Sequence, residues 1–562
     1  MLPLADNLTQ VLFERFREGA HSEALVLYGR RSQSRISWRQ LLVGSANLAS
    51  LFQRAGFQEG DVIVNLLPPG EDLIFGFLGA LLLGAVPSIL PFQTEKLNPE
   101  RYREGMTRLM EVTKPAGILG EPKLIRELQT SLPGNPALKA FLTPDQATRG
   151  DDTGALLREE WRGLLRRPEE LVLLQHSSGT TGLQKGVALS HGAVLNQLRA
   201  YLPRLKTRED DVVVSWLPLY HDMGLIAGFL LPLLAGLKLV LLSPFEWVRA
   251  PWSLLRAVHD HRGTLSWMPN FAYNFCALKI PEERLRGLDL SSWRAVINCS
   301  EPMYAESHRM FARRLAPNGL SEVALTTSYA MAENVFAVTQ GGVGEPVVCD
   351  RIDRELLASE GRAHPTDAME GCEMVSAGTI LPNCRLRVVD GRGAEVADRA
   401  IGELALQSDC MLAGYYNRPD ATRQALQNGW LMTGDLGYVA GPEVYITGRK
   451  KDLIIVGGKN IYPQDVEQVV NRVSGVYPGR VVVFGVPNAD LGTEDVVAVV
   501  EPDKAASSDH KRLAVEIRLA VARSSEVSLR DVKIVDRHWL VKSSSGKIAR
   551  SANREKYLEE LG

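Results

Sequence analysis

The chain has 562 residues, room for three or four folding units at about 150 residues each. Its 45% apolar and 23% charged fractions suit a globular protein, and 64 basic against 66 acidic residues leave a net charge of −2. That balance gives no broad electrostatic reason to bind nucleic acid or an anionic membrane.

In chain order, Met1–Phe16 carries Asp6 and Glu14 and lacks a basic segment ahead of an apolar run, so it does not read as a signal peptide. A strand is predicted at Val62–Leu66. Leu73–Phe92 then runs twenty residues without a charge, long enough to cross a bilayer. Pro87, Pro91 and three glycines break that run. The pattern fits a buried helix over Leu73–Leu83 and a buried strand at Val86–Leu90 better than a span. Met223–Leu242 repeats the pattern, with Pro232 and Lys238 inside it. Further strands are predicted at Leu171–Gln175, Val212–Trp216, Leu239–Leu242, Thr264–Met268, Ala295–Asn298 and Val323–Thr326. Their alternation with helical stretches argues for layered, mostly parallel sheets.

From about Cys372 to Gly448 the texture changes to short β-like runs (Arg385–Val389, Gly402–Gln407, Val444–Ile446), as expected of a small β-rich subdomain or barrel. After Lys451, strands are expected at Asp452–Val456, Arg480–Phe484, Val496–Val500 and Val532–Val535, with helices near Pro463–Arg472 and Asp509–Ser524. The expected architecture is therefore α/β. A body over residues 1–450 holds stacked, mostly parallel sheets and a β-rich subdomain at about 372–448, and a smaller, mobile α+β domain follows over 451–562. Asp350–Gly371 is polar and poorly patterned. The six cysteines lie far apart and none forms a C-x-x-C pair, so a zinc site and a disulfide framework are not expected. They read as small buried side chains in a reducing cytoplasm.

The strongest local signal is Ser177-Ser178-Gly179-Thr180-Thr181-Gly182-Leu183-Gln184-Lys185-Gly186, directly after a predicted strand. Its glycines let backbone approach a polyphosphate, and its hydroxyls and lysine supply donors. It is not a Walker A loop, because Gln184 stands where that motif needs glycine. Taken alone, such a run is more often a flexible turn. Five companions follow: Tyr220-His221-Asp222-Met223-Gly224, Tyr329-Ala330-Met331-Ala332-Glu333, Thr433-Gly434-Asp435, Gly448-Arg449-Lys450-Lys451-Asp452 and Ser544-Ser545-Gly546-Lys547-Ile548. With these six motifs in order, the sequence resembles the adenylate-forming superfamily of acyl-CoA synthetases, peptide-synthetase adenylation domains and luciferases over nearly its whole length.

The resemblance implies ATP and Mg²⁺ as cofactors and a role for each motif. Thr180, Thr181 and Lys185, with Ser177, Ser178, Gly179 and Gly182, would hold the β- and γ-phosphates. Glu333 would bind Mg²⁺, a hard cation that favours oxygen ligands. Tyr329 would stack on adenine, with Ala330, Met331 and the Ser300-Glu301-Pro302 segment beside the nucleotide. Asp435 would accept from the ribose hydroxyls with Arg449 next to it. Lys547 would bridge the substrate carboxylate and the α-phosphate. Lys451 falls where relatives place a hinge, and the Gly457-Gly458 loop would line the path of a phosphopantetheine thiol. His221 is a site candidate as well, though a satisfied core histidine reads equally well. A lone aspartate such as Asp435 is otherwise usually a turn former. The sequence departs from the family pattern at Ala330, Ser300 and His176.

Within the superfamily, Met268-Pro269-Asn270-Phe271-Ala272-Tyr273-Asn274, His221–Ile226 and the 68 residues between Glu333 and Gly402 resemble the fatty acyl-AMP ligase branch. There an extra segment, here near Asp350–Gly371, hinders use of free coenzyme A. The implied substrate is a fatty acid, and the implied partner is an acyl carrier protein. No phosphopantetheine attachment site appears after residue 451, so the carrier is expected in trans, as in polyketide or lipopeptide assembly. Two other readings stay open: an acyl-CoA synthetase using free coenzyme A, and a nucleotide-binding protein without turnover.

Overall fold

The computed structural model describes residues 2–560 apart from 20–21, 31, 93–98, 132–136, 149–160, 177–184, 369–370, 457–458, 489–492, 504–508, 525–526 and 544–545. Two sheets of seven strands form the core. In the first, Leu325–Ser328, Ala295–Cys299, Leu265–Met268, Val212–Ser215, Lys238–Leu242 and Glu23–Tyr28 lie parallel in that order, and Gln33–Ser37 closes the edge antiparallel. In the second, Leu171–His176, Val86–Ile89, Val62–Leu66, Gly117–Gly120 and Ala140–Leu142 are parallel. Gly186–Ser190 returns antiparallel beside Leu171–His176, and Gly414–Tyr415 pairs outside it.

The uncharged stretch folds as the prolines and glycines require. Helix Glu71–Leu83 ends at left-handed Gly84 and feeds Val86–Ile89. Among the described residues no helix is long and apolar enough to cross a membrane. The second apolar run begins differently from expectation: Met223–Leu230 is a π-helix, wholly buried, before the α-helix Leu231–Ala235. Gly224 is forced there by packing, since a Cβ on it would sit 2.2 Å from the Pro218 carbonyl oxygen. The wide turn thus seats tightly on the loop carrying Tyr220 and His221, and such bulges are frequent at functional sites. The strand expected at Val323–Thr326 begins two residues later, at Leu325, because Glu322–Ala324 closes a 3₁₀ turn.

A third sheet is antiparallel and runs Thr339–Gln340, Thr379–Ile380, Glu443–Arg449, Trp430–Ala440, Gly402–Ser408, Cys384–Val389. Asp350–Gly371, unpatterned in sequence, is folded: Cys349–Ile352 pairs with Cys372–Val375, and helix Arg354–Glu360 lies between them. Few of its side chains are buried, which hid the pattern, but Ile352, Leu357 and Ala363 are, in a cluster with Tyr438, Tyr445 and Tyr462. Asp350 anchors it, accepting from Tyr438 Oη at 2.9 Å and pairing with Arg399 at 2.9 Å. Beyond residue 452, the strands Val476–Asn488, Thr493–Pro502 and Leu529–Ile534 form a separate sheet, with helices Pro463–Asn471 and His510–Ser524 over its own apolar cluster.

Candidate functional site

Four strands of the two parallel sheets deliver the candidate residues just beyond their carboxyl ends, where open α/β sheets bind ligands. Leu171–His176 leads into the phosphate-loop motif, Val212–Ser215 to His221, Ala295–Cys299 to Ser300, and Leu325–Ser328 to Tyr329. Ser177, Ser178, Gly179, Thr180, Thr181 and Gly182 lie outside the described residues, as do Gly457 and Gly458. The strands flanking the phosphate loop are described, and His176 pairs with Gly186 across its base.

The nucleotide-side residues are tied to one another. Asp435 and Arg449 are cross-strand neighbours, with Arg449 Nε 3.3 Å from Asp435 Oδ1. Tyr329 Oη donates to Asp435 Oδ2 at 2.6 Å, and Thr433 Oγ1 accepts from the Asp435 amide at 3.1 Å. Burial pushes the Tyr329 phenol well up, and Asp435 adds to this, so it remains a donor. Ala330 bridges Ala337, and the Met331 amide donates to the Phe336 carbonyl, which fixes the turn carrying Glu333.

Glu333 is half-buried, and desolvation pushes its carboxyl up against the opposing hydrogen bond from Tyr415. Tyr415 Oη donates to Glu333 Oε1 at 2.8 Å, and Lys185 Nζ lies 4.6 Å above the Tyr415 ring. Tyr415 is a residue of this group that sequence reasoning missed. A Gly-Tyr-Tyr run carries no spacing signal, and only its strand pairing with Val187 brings it here.

On the other side, Lys547 donates to the carbonyl oxygen of Ser300 at 2.6 Å, across 247 residues of chain. Ser300 holds a positive φ of 69°, which turns this carbonyl out of the strand direction. Burial pushes the Lys547 ammonium below the usual lysine value, the carboxylates of Glu301 and Asp222 resist the fall, and Arg449 adds to it. Glu301 accepts from the Phe271 amide at 3.0 Å, so its carboxylate caps helix Asn270–Lys279. Pro302 follows it in the same turn.

His221 and Asp222 form a close pair, Nδ1 to Oδ1 2.6 Å, with side chains 14% and 11% exposed. Burial acts to raise the Asp222 carboxyl, yet His221 and Lys547 outweigh it and hold it low. His221 is therefore neither core filler nor isolated. Lys451 sits in the exposed 3₁₀ turn Lys450–Asp452 between the third sheet and the C-terminal strands, near enough to Asp435 and Arg449 for their charges to act on it. His176, the departure at the mouth of the phosphate loop, is buried with Nδ1 3.0 Å from Ser88 Oγ, and burial lowers its pKa to about 4. It is a neutral structural imidazole.

Among the described residues no three His, Cys, Asp or Glu side chains cluster as a metal cage. Glu333 fits a cation held otherwise by phosphates. It is a half-buried carboxylate whose Oε1 accepts from Tyr415 Oη. Mg²⁺ is commonly bound through one or two carboxylates plus substrate phosphate oxygens.

Comparison with known proteins gives the family of the chain. The AMP-binding enzyme family matches residues 13–416. The chain is 31% identical to a putative acyl-CoA synthetase of Caulobacter vibrioides, over 91% of this chain and 88% of that one. It is 30% identical to the long-chain-fatty-acid–AMP ligase FadD26 of Mycobacterium marinum, over 93% and 91%. A structure from work on fatty acyl-adenylate ligases of E. coli and L. pneumophila superposes with a TM-score of 0.89 at 26% identity, covering 99% of this chain and 98% of that one. This chain is an adenylate-forming ligase, a member of the AMP-binding enzyme family.

Proposed function

We propose that the protein activates a fatty acid with ATP as an acyl-AMP and then passes the acyl group to the phosphopantetheine thiol of a carrier protein supplied in trans. In the first step an acid carboxylate oxygen attacks the α-phosphorus. The bond from that phosphorus to the bridging oxygen breaks, and pyrophosphate leaves. In the second, the thiol sulfur attacks the acyl carbon, the bond from that carbon to the phosphate oxygen breaks, and AMP leaves as the thiol proton is released to solvent.

The observation that carries this reading is the position of Lys547, donating to the Ser300 carbonyl in a group that includes Asp222, Glu301 and Arg449. A half-buried ammonium there would offset the charge of two anions that must meet in line. Tyr329 would support the adenine, and Asp435 with Arg449 the ribose. Lys185, with Thr180 and Thr181, would hold the departing phosphates, and Ser300, Ala330 and Met331 would border the nucleotide. Mg²⁺ at Glu333 would neutralise developing phosphate charge. Residues 451–562 would act as a lid turning about Lys451, withdrawing Lys547 and bringing the Gly457-Gly458 loop to the acyl-AMP. The protein would act in the cytoplasm.

The test incubates the protein with ATP, Mg²⁺ and a graded series of fatty acids, alone, with coenzyme A or with a holo carrier, and reads products by mass spectrometry. Acyl-AMP that persists with coenzyme A and is consumed by the carrier is the expected result. Rapid acyl-CoA formation would instead match the activity in the name of the Caulobacter relative. No adenylate with any acid, and wild type equal to Lys547→Ala, would leave only nucleotide binding.

A further inference from the structure

The segment 412–416 touches both halves of the phosphate chemistry. The Leu412 amide donates to the Glu333 carbonyl at 2.8 Å. The Ala413 and Tyr416 amides donate to the Ala188 and Gly186 carbonyls, at 2.9 and 2.8 Å, on the strand leaving the phosphate-loop motif. Between them Tyr415 is pinned by its own amide to Thr422 Oγ1 at 2.9 Å and is 8% exposed. Its hydroxyl reaches Glu333 at 2.8 Å while the face of its ring lies under Lys185 at 4.6 Å.

This placement solves a problem of charge. A lysine meant for phosphates and a carboxylate meant for a cation would neutralise each other if they paired directly. Among the described residues Lys185 pairs with no carboxylate, and Glu333 pairs with no cation. The Tyr415 ring stands between them. Its π face attracts the ammonium without cancelling its charge. Its hydroxyl donates to Oε1 of the Glu333 carboxylate and so fixes how that group is turned.

We propose that Tyr415 is a positioning residue for the nucleotide's phosphates: its hydroxyl turns Glu333 toward the metal ion, and its ring holds Lys185 toward the β- and γ-phosphates. This rests on the assignment of Glu333 and Lys185 in the ligase reading. The two contacts separate by substitution, because Tyr415→Phe removes the hydroxyl and keeps the ring, whereas Tyr415→Leu removes both.

The experiment measures binding without turnover. Mn²⁺ is titrated into enzyme and ATP with no acid present and followed by electron paramagnetic resonance, and ATP and AMP affinities are measured by calorimetry without metal. Tyr415→Phe is expected to weaken Mn²⁺ binding about tenfold and leave metal-free ATP affinity within about twofold. Tyr415→Leu is expected to weaken metal-free ATP binding as well, with AMP binding unchanged, since AMP has no β- or γ-phosphate for Lys185. Unchanged AMP affinity also certifies that each variant is folded. Wild-type Mn²⁺ binding by Tyr415→Phe would overturn the proposal, and so would equal losses of ATP and AMP affinity in both variants. A wild type that binds Mn²⁺ and ATP but forms no adenylate would count against the ligase reading and not against the role of Tyr415.

Discussion

Asp435 and Lys547 belong to one site and are secured in different ways. Asp435 is held from both oxygens, by Tyr329 at 2.6 Å and Arg449 at 3.3 Å, within neighbouring strands of one sheet. Lys547 arrives from the far end of the chain, makes one hydrogen bond to a backbone carbonyl, and carries an ammonium that burial disfavours. The Asp435 side is assembled in advance of any ligand. The Lys547 side holds a charge that burial disfavours and that Glu301 and Asp222 only partly offset, which suits the role proposed for it on the reacting atoms.

The largest effect should come from the delivered side. Lys547→Ala is expected to slow acyl-AMP formation about 10²–10³-fold, the scale of removing one preorganised electrostatic donor, while ATP affinity changes less than about threefold. Single-turnover quench with mass spectrometry, beside calorimetry for ATP, separates the two. If ATP affinity fell as far as the rate, Lys547 would belong to the prebuilt side and the contrast would collapse.

Next is an acid sensitivity of the prebuilt body. His176, His191 and His308 are buried, and burial first of all lowers their pKa values to about 4, about 3 and about 4, from 6.5. A folded pKa below the unfolded one means the unfolded chain takes the proton first. Stability is therefore complete above pH 6.5, falls as the pH drops below it, and stops falling near pH 4 for His176 and His308 and near pH 3 for His191. At about 1.4 kcal/mol per pH unit, His176 and His308 could each remove up to roughly 3.5 kcal/mol and His191 up to roughly 5. Urea midpoints at pH 7 and pH 5 should differ, and by less in His176→Gln. The same difference in both proteins would mean that His176 is not part of the loss.

On the nucleotide side, Asp435→Asn keeps an acceptor for Tyr329 but removes the charge facing Arg449. Charge-assisted hydrogen bonds are the stronger ones, so ATP affinity is expected to fall about tenfold, with the chemical step changed less. A loss confined to the step after binding would contradict a ribose role.

The difference between the two sides also separates what could be read from the sequence. The strands ending at Leu66, His176, Ser215, Leu242, Met268 and Cys299 were legible to within a residue or two, because parallel strands buried on both faces are short continuous apolar runs. Lys547, Glu333, Asp435 and Arg449 stood out through their motifs. Tyr415 was not legible, because its partners are 82 and 230 residues away and no local periodicity encodes that meeting. The fold of Asp350–Gly371 was hidden for a similar reason: its strand partner, Cys372–Val375, comes after an intervening helix, and few of its residues are buried. The π-turn at Met223 was also unreadable, since an α-helix and a π-helix share the same apolar composition.

The smallest expected effect lies where the two sides meet. Ser300 pairs a left-handed backbone with the carbonyl that receives Lys547. A non-glycine residue held there costs about 1–2 kcal/mol, while glycine loses about 0.4–1 kcal/mol through the greater freedom of the unfolded chain. Ser300→Gly should therefore stabilise the protein by about 0–1.6 kcal/mol, and because the contact uses backbone, adenylation should stay within about twofold. Ser300→Val, β-branched at the same φ, should destabilise instead and weaken the seat for Lys547. Thermal melts and single-turnover rates on the two variants decide the matter. If Ser300→Gly kept its stability but lost adenylation more than tenfold, the Ser300 hydroxyl would be acting on the nucleotide itself, and the meeting point would be chemical rather than a backbone seat.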